Sequence, residues 1–283
     1  MLSLRCFAPA FVVGFLVVRS HAHAQSQPAP DRVSALLARM TLEEKAGQLA
    51  MWPGGTKPTG PQAAAGSEAD IRLGRVGSFL GIWGAETTRR LQRIAVEESR
   101  MKLPLLFTAD VIHGFRTIFP VPLAEAASWD VDLAQRCARA AAVEASAYGI
   151  HWDYAPMVDI ARDARWGRIV EGAGEDPYLG SAFAVARVRG LQTAAPADAT
   201  ALLATAKHFV AYGAAEGGRD YNTVDLSERS LRETYFPPFR AAVEAGVASI
   251  MPAFNEIAGL PMHANRVLLR DMLRGQWGFK GLV

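Results

Sequence analysis

Short apolar runs alternate with amphipathic stretches along most of this chain. The runs fall at residues 76–83, 103–109, 150–160, 202–210 and 247–254, and a last one opens at Gly281-Leu282-Val283. Between them lie stretches of helical period at 86–101, 130–148, 177–191, 227–245 and 267–276. Strand-length runs separated by helix-length segments predict βα units, and hence right-handed crossovers and a parallel sheet. Upstream, Thr41-Leu-Glu-Glu44 reads as a capping box that opens a helix, and Asp31 as the cap of an earlier one. Residues 51–67, rich in Gly, Pro and Ala, read as a loop.

Two parallel-sheet architectures fit such an alternation. An open dinucleotide-binding sheet requires a Gly-rich turn after an early strand, and none is present; Gly172-Ala-Gly174 lies inside a charged loop. A barrel instead gathers polar residues at the carboxyl ends of several strands. Asp110 and His113 follow the second run, Asp159, Arg162 and Asp163 the third, Lys207 and His208 close the fourth, and Asn255 and Glu256 follow the fifth. The expected fold is therefore α/β, a (β/α)8 TIM-type barrel. About six strands fit before the sequence stops, so the barrel is expected to be C-terminally truncated.

The start of the chain has another character. Arg5 precedes an apolar run from Phe7 to Val18, and Ala22-His23-Ala24 supplies a small-x-small cleavage pattern, so residues 1–24 read as a signal peptide. The run is shorter than the ~20 residues a membrane span needs, which argues for export without an anchor, to the periplasm or the medium. Residues 25–39 read as a leader and first helix, and 40–283 as the barrel domain. Cleavage removes Arg5 and Arg19 and no acidic residue, leaving 28 basic and 28 acidic side chains. That balance argues against nucleic acid as a partner and for a small neutral one. Only Cys137 then remains, which excludes an internal disulfide.

Three clusters carry the candidate chemistry. Residues 159–168 pack three arginines, two aspartates and Trp166 into ten positions. A solvated ion-pair cluster is one reading; an indole beside forked guanidinium groups, with Arg168 donating to neighbouring hydroxyls, is a sugar site. Lys207 follows an apolar strand and is costly there without a polar partner. Consecutive strand residues face opposite ways, so Lys207 and His208 share one ligand only if the strand is distorted, by a bulge or a cis peptide. Asp110 could accept from two adjacent hydroxyls, or cap a helix.

The string Lys207-His-Phe-Val-Ala-Tyr-Gly-Ala-Ala-Glu-Gly-Gly-Arg-Asp-Tyr-Asn222 resembles the Lys-His signature of glycoside hydrolase family 3. Arg162-Asp-Ala-Arg-Trp-Gly-Arg168, Glu171-Gly-Ala-Gly-Glu-Asp176, Asp110-Val-Ile-His-Gly114 and Gln276-Trp-Gly-Phe-Lys-Gly281 are similar to its other motifs, in the family's order. The likeness runs from about Met40 to Val283 and is nearest the bacterial periplasmic β-glucosidase branch. It implies a pocket at the barrel mouth for a nonreducing-end sugar, held by Asp110, Arg168, Lys207 and His208 and lined by Met251. A pocket tyrosine of the family falls at Phe254. The implied partner is a β-linked oligosaccharide or aryl glucoside, cleaved with retention through two carboxyl groups and without a cofactor. The resemblance puts the nucleophile just after the strand at Gly278-Phe-Lys-Gly281, past Val283, and the acid/base residue in a later domain. No catalytic residue is therefore expected within this chain, which by itself is expected to be inactive.

Two rival readings differ in class. His151, Asp153, His208 and His263 could be assembled on paper into a metal-dependent hydrolase site, but His151 and Asp153 fall at the start of their predicted strand, away from a barrel mouth. A catalytically incomplete carbohydrate-binding protein would keep the same sugar-holding residues.

Overall fold

The computed structural model describes residues 29–54, 68–194 and 198–283. The predicted signal peptide, and residues 55–67 of the predicted loop, lie outside the described residues. The chain divides into two compact units, Met1–Met40 and Thr41–Val283. In the first, helix α1 spans Ala29–Arg39, and the side chain of Asp31, the expected cap, lies outside the described residues.

The second unit holds, in order, α2 (Leu42–Leu49), β1 (Met51–Pro53), α3 (Glu68–Arg72), β2 (Ser78–Leu80), α4 (Ala85–Arg93), β3 (Leu106–Ala109), α5 (Pro122–Ala126), α6 (Val131–Ala147) and β4 (Trp152–Asp153). It continues with α7 (Pro177–Gln192), β5 (Thr205–Phe209), α8 (Glu228–Ser230), α9 (Phe236–Glu244), β6 (Ser249–Pro252), β7 (Glu256–Ile257) and β8 (Leu260–Pro261). Wide π-helical turns extend α4 through Ile94–Glu98, join α8 to α9 through Leu231–Tyr235, and form the last helix, Val267–Gln276.

Local signals set the helix starts. The capping box at Thr41 is formed: the Glu44 N–H donates to Thr41 Oγ1 at 3.2 Å and the Thr41 N–H to Glu44 Oε2 at 2.9 Å. Asp130 and Asp176 cap α6 and α7 by accepting the N–H groups of Leu133 and Leu179. In each case a side-chain oxygen satisfies a donor that the first helical turn leaves open.

Strands β1 to β4 pair in sequence order and all in parallel. Parallel bridges Trp152–Leu203 and Met157–Lys207 carry the order on to β5, which pairs in parallel with β6, and a bridge from Ser249 to Leu282 follows. β7 and β8 form a separate antiparallel pair. The fold is thus α/β with parallel strands in chain order.

Two expectations about strands are corrected. Residues 51–67 are not all loop, because Met51–Pro53 is β1, in register with Ser78–Leu80. Three residues ending in proline show no alternation, and only the pairing with β2 makes them a strand. The run 150–160 contains a regular strand of two residues, Trp152–Asp153. Pro156 has no N–H to give a ladder, and the chain beyond Asp153 pairs only through isolated contacts.

Helices α6 and α7 pack closely through small residues. Ala134, Ala141, Ala142 and Ala145 of α6 are buried. A Cβ on Gly190 of α7 would stand 2.5 Å from the Gln135 carbonyl oxygen and 2.7 Å from Ala138 Cβ, so this crossing requires glycine. Arg187 of α7 is buried and donates to Glu125 of α5, also buried. The main core joins Ile150, Met157, Phe209, Phe239 and Ile250, and a smaller one stacks Phe79 on Phe107.

Candidate functional site

Strand β5 is buried at every position, including Lys207 and His208. The pairing with β6 slips between Lys207 and Phe209, so that Lys207 faces Met251 in register and Phe209 faces Pro252. The Lys207–His208 peptide is cis, as is Phe209–Val210. The strand is therefore distorted at the position where a shared grip by both side chains requires it.

Each side chain has a partner from a different strand end. Lys207 Nζ donates to Asp110 Oδ2 at 2.8 Å. Asp110 follows Ala109, the last residue of β3, and no helix begins there, so it is not a cap. The His208 backbone N–H and Nδ1 both meet Asp159 Oδ2, at 3.0 and 2.9 Å. The other oxygen, Asp159 Oδ1, is buried without a hydrogen-bond partner. The His208 ring lies edge-on to Tyr212, with centroids 5.2 Å apart, and tilted against Phe254 at 5.8 Å.

Arg168 is held in a fork. Its Nε and Nη2 donate to Glu171 Oε1 and Oε2 at 2.6 and 2.8 Å, and its guanidinium lies 5.5 Å over the Tyr212 ring. The Glu171 carboxylate holds the arginine above its ordinary range. Burial works against ionisation of Glu171, but the guanidinium outweighs it and the carboxyl stays below its usual value. Asp110 thus meets Lys207, Met251 is level with Lys207, and Arg168 and His208 share Tyr212. All five predicted site residues fall in one neighbourhood near the ends of β3, β5 and β6.

Other readings of the charged loop change. Trp166 is 1% exposed, with Nε1 donating to Asp220 Oδ1 at 3.0 Å and its ring edge-on to Tyr212. Its indole is a core group and offers no open face for a sugar. Arg165 and Asp163 pair with each other, and Arg165 holds the Asp163 carboxyl down to about 2. That pair is the solvated ion-pair cluster of the plainer reading. The exposed aromatic rings here are Tyr221 and Phe254, whose centroids are 5.1 Å apart.

Asp153 was placed wrongly by the sequence. Its register partner is Ala109, so it lies level with the end of β3 and next to the Asp110 loop, not at a distant strand start. It is fully buried, and burial pushes its carboxyl up to about 7. The signal available in the sequence was an acid inside an apolar run. His151 Nδ1 accepts the Phe107 N–H at 3.2 Å, and among the described residues no group of three or more His, Cys, Asp or Glu is arranged to hold a metal ion.

Residues 41–283 match the family model described as the glycosyl hydrolase family 3 N-terminal domain. The chain belongs to glycoside hydrolase family 3. Within that family it is 42% identical to a periplasmic β-glucosidase of Salmonella typhimurium, over 251 residues that cover 89% of this chain and 32% of that protein. It is 31% identical to a periplasmic β-glucosidase/β-xylosidase of Dickeya chrysanthemi, across 90% of this chain and 45% of the relative. Among solved structures it is similar to a β-glucosidase from Listeria innocua in complex with isofagomine, with a TM-score of 0.82 and 40% identity, covering 89% of this chain and 36% of that one. The complex of that enzyme with glucose gives a TM-score of 0.81 at 40% identity, with coverage of 89% and 37%. The family 3 chain thus spans about a third of the length of the first of these relatives. Among the described residues, no helix of this family 3 chain is long and apolar enough to cross a membrane.

Proposed function

We propose that this chain is the sugar-holding part of an exported β-glucosidase, and that Asp110, Arg168, Lys207 and His208 hold the hydroxyls of a nonreducing-end glucose-type sugar beside Met251. The observation that carries this reading is the convergence at the ends of β3 and β5. An ammonium and a carboxylate, paired at 2.8 Å, stand next to an imidazole oriented by Asp159. Fixed donors and acceptors at short spacing suit the vicinal hydroxyls of a sugar, and a carboxylate can accept two of them. The parallel strand order supports a (β/α)8-type barrel, with this site at its mouth.

Cleavage with retention needs one carboxylate to attack and another to protonate the leaving oxygen. Asp110 receives Lys207, Asp159 holds His208, Glu171 is forked with Arg168, and Asp153 is buried. None is an unengaged nucleophile. The reading assigns the grip to this chain and bond cleavage to carboxyl groups outside it. The engagement of these four carboxylates also fits the alternative, a carbohydrate-binding protein without catalysis.

Hydrolysis of a chromogenic aryl β-glucoside by this chain and by the reading frame extended past Val283 tests the assignment. Activity confined to the extended protein, with glucose binding in both, is the expected result. Activity in this chain alone would overturn the division of labour. Binding without activity in either form would favour the carbohydrate-binding alternative.

A further inference from the structure

Asp153 is a buried carboxyl group that the proposed sugar grip does not use. It closes β4 in register with Ala109, beside the strand end from which Asp110 emerges. Its Oδ1 accepts the N–H of Val111 at 2.8 Å, and its Oδ2 is buried with no hydrogen-bond partner. Packing alone would be better served by an apolar side chain, since a half-satisfied buried carboxyl is costly.

The bond to Val111 gives the group a purpose. Asp110 lies just past the last residue of β3, where ladder pairing no longer fixes the backbone. Two consecutive residues, Asp153 at the end of β4 and Tyr154 just past it, grip it from both sides. The Tyr154 N–H donates to the Ala109 carbonyl at 3.0 Å, and Asp153 takes the N–H of Val111. The peptide groups on either side of Asp110 are thereby held, and with them the direction in which its side chain leaves the backbone. Lys207 is buried and its ammonium reaches Asp110 Oδ2 from β5, so that direction decides whether the pair forms.

We propose that Asp153 is the positioning residue of this site: by taking the Val111 N–H it sets the Asp110 carboxylate against Lys207. Its effect on sugar binding rests on the proposed function; the clamp on Val111 does not.

The charged groups acting on Asp153 are Asp110 and Lys207, and the phenol of Tyr154 also interacts with it. Burial, reinforced by Asp110 and opposed by Lys207 and the Val111 N–H, places its titration near pH 7.

The test compares Asp153→Ala and Asp153→Asn in the whole 283-residue chain. Amide exchange at Val111 is followed without sugar, and glucose affinity is measured beside it. Asp153→Ala should speed Val111 exchange and weaken glucose binding, each on the order of tenfold. Asp153→Asn keeps an acceptor oxygen, so it should restore both. Unchanged exchange in Asp153→Ala would overturn the proposal. So would Asp153→Asn speeding Val111 exchange by about tenfold as well, and this variant decides if Asp153→Ala does not fold. If the unsubstituted protein takes up no glucose, the proposed function fails, and Val111 exchange still decides the clamp.

Discussion

Lys207 and Asp110 form an ion pair at 2.8 Å whose members live in different surroundings, the lysine side chain 2% exposed and the aspartate 49%. A buried ammonium cannot do without its partner, whereas a half-exposed carboxylate can turn to water. Asp110→Ala should therefore cost roughly 2 kcal/mol, and Lys207→Met, which keeps the volume, under about 1 kcal/mol. Urea unfolding of both variants checks the order. The reverse order would mean that the ammonium has another support.

His208 presents both its backbone N–H and Nδ1 to one carboxylate oxygen of Asp159. A ring nitrogen facing a carboxylate carries the hydrogen, so neutral His208 should be the Nδ1–H tautomer with Nε2 free to accept. Nitrogen-15 spectra of the ring distinguish the tautomers. Asp159→Ala leaves two buried donors without an acceptor and should cost on the order of 2–4 kcal/mol in thermal or urea unfolding.

Asp153 should make stability fall as pH rises. Its carboxyl goes from an ordinary value of 3.8 to about 7 in the folded protein, so the folded state keeps a proton that the unfolded chain releases. The contribution is whole below the unfolded value, declines from about pH 4 to pH 7, and is lost above that. Asp153→Asn, which cannot ionise, should flatten the decline and gain up to about 4 kcal/mol at pH 8 over the unsubstituted protein. Unfolding curves at pH 5 and pH 8 supply the comparison, and parallel slopes would contradict the burial argument.

Arg187 and Glu125 tie α7 to α5 with side chains 8% and 7% exposed. Glu125→Ala or Arg187→Ala strands one buried charge and should cost about 3–5 kcal/mol. Replacing both together, Glu125→Leu with Arg187→Met, should recover most of that loss, because the penalty belongs to the unpaired charge. Chemical denaturation of the three variants measures it. A double variant as weak as the singles would mean that the pair contributes favourably beyond neutralising itself.

The helices were the readily legible part of this protein. A stretch of helical period at 130–148 became α6, Val131–Ala147 with Asp130 as its cap, and 177–191 became α7, Pro177–Gln192. Strands were harder. Met51–Pro53 carries no pattern of its own, and Pro156 interrupts the run that looked like one long strand. The expected distortion at Lys207-His208 was legible for a physical reason: neighbouring strand residues cannot face one ligand without it.

Residue chemistry and short spacings suffice for the alternation of elements, the helix caps, the absence of a basic excess and the polar residues clustered at strand ends. These depend on interactions within a few positions of the chain, which sequence displays directly. The pairing of Lys207 with Asp110, 97 positions away, was set only when β5 and β3 were brought into one parallel array. The same packing buried Trp166, which composition alone would have left as a sugar platform, and carried Asp153 from an apparent strand start to the side of Asp110. Partner and burial are properties of what surrounds a residue in three dimensions. A residue's own identity leaves them open, because the same indole or carboxyl is stable in either setting once its hydrogen bonds are met.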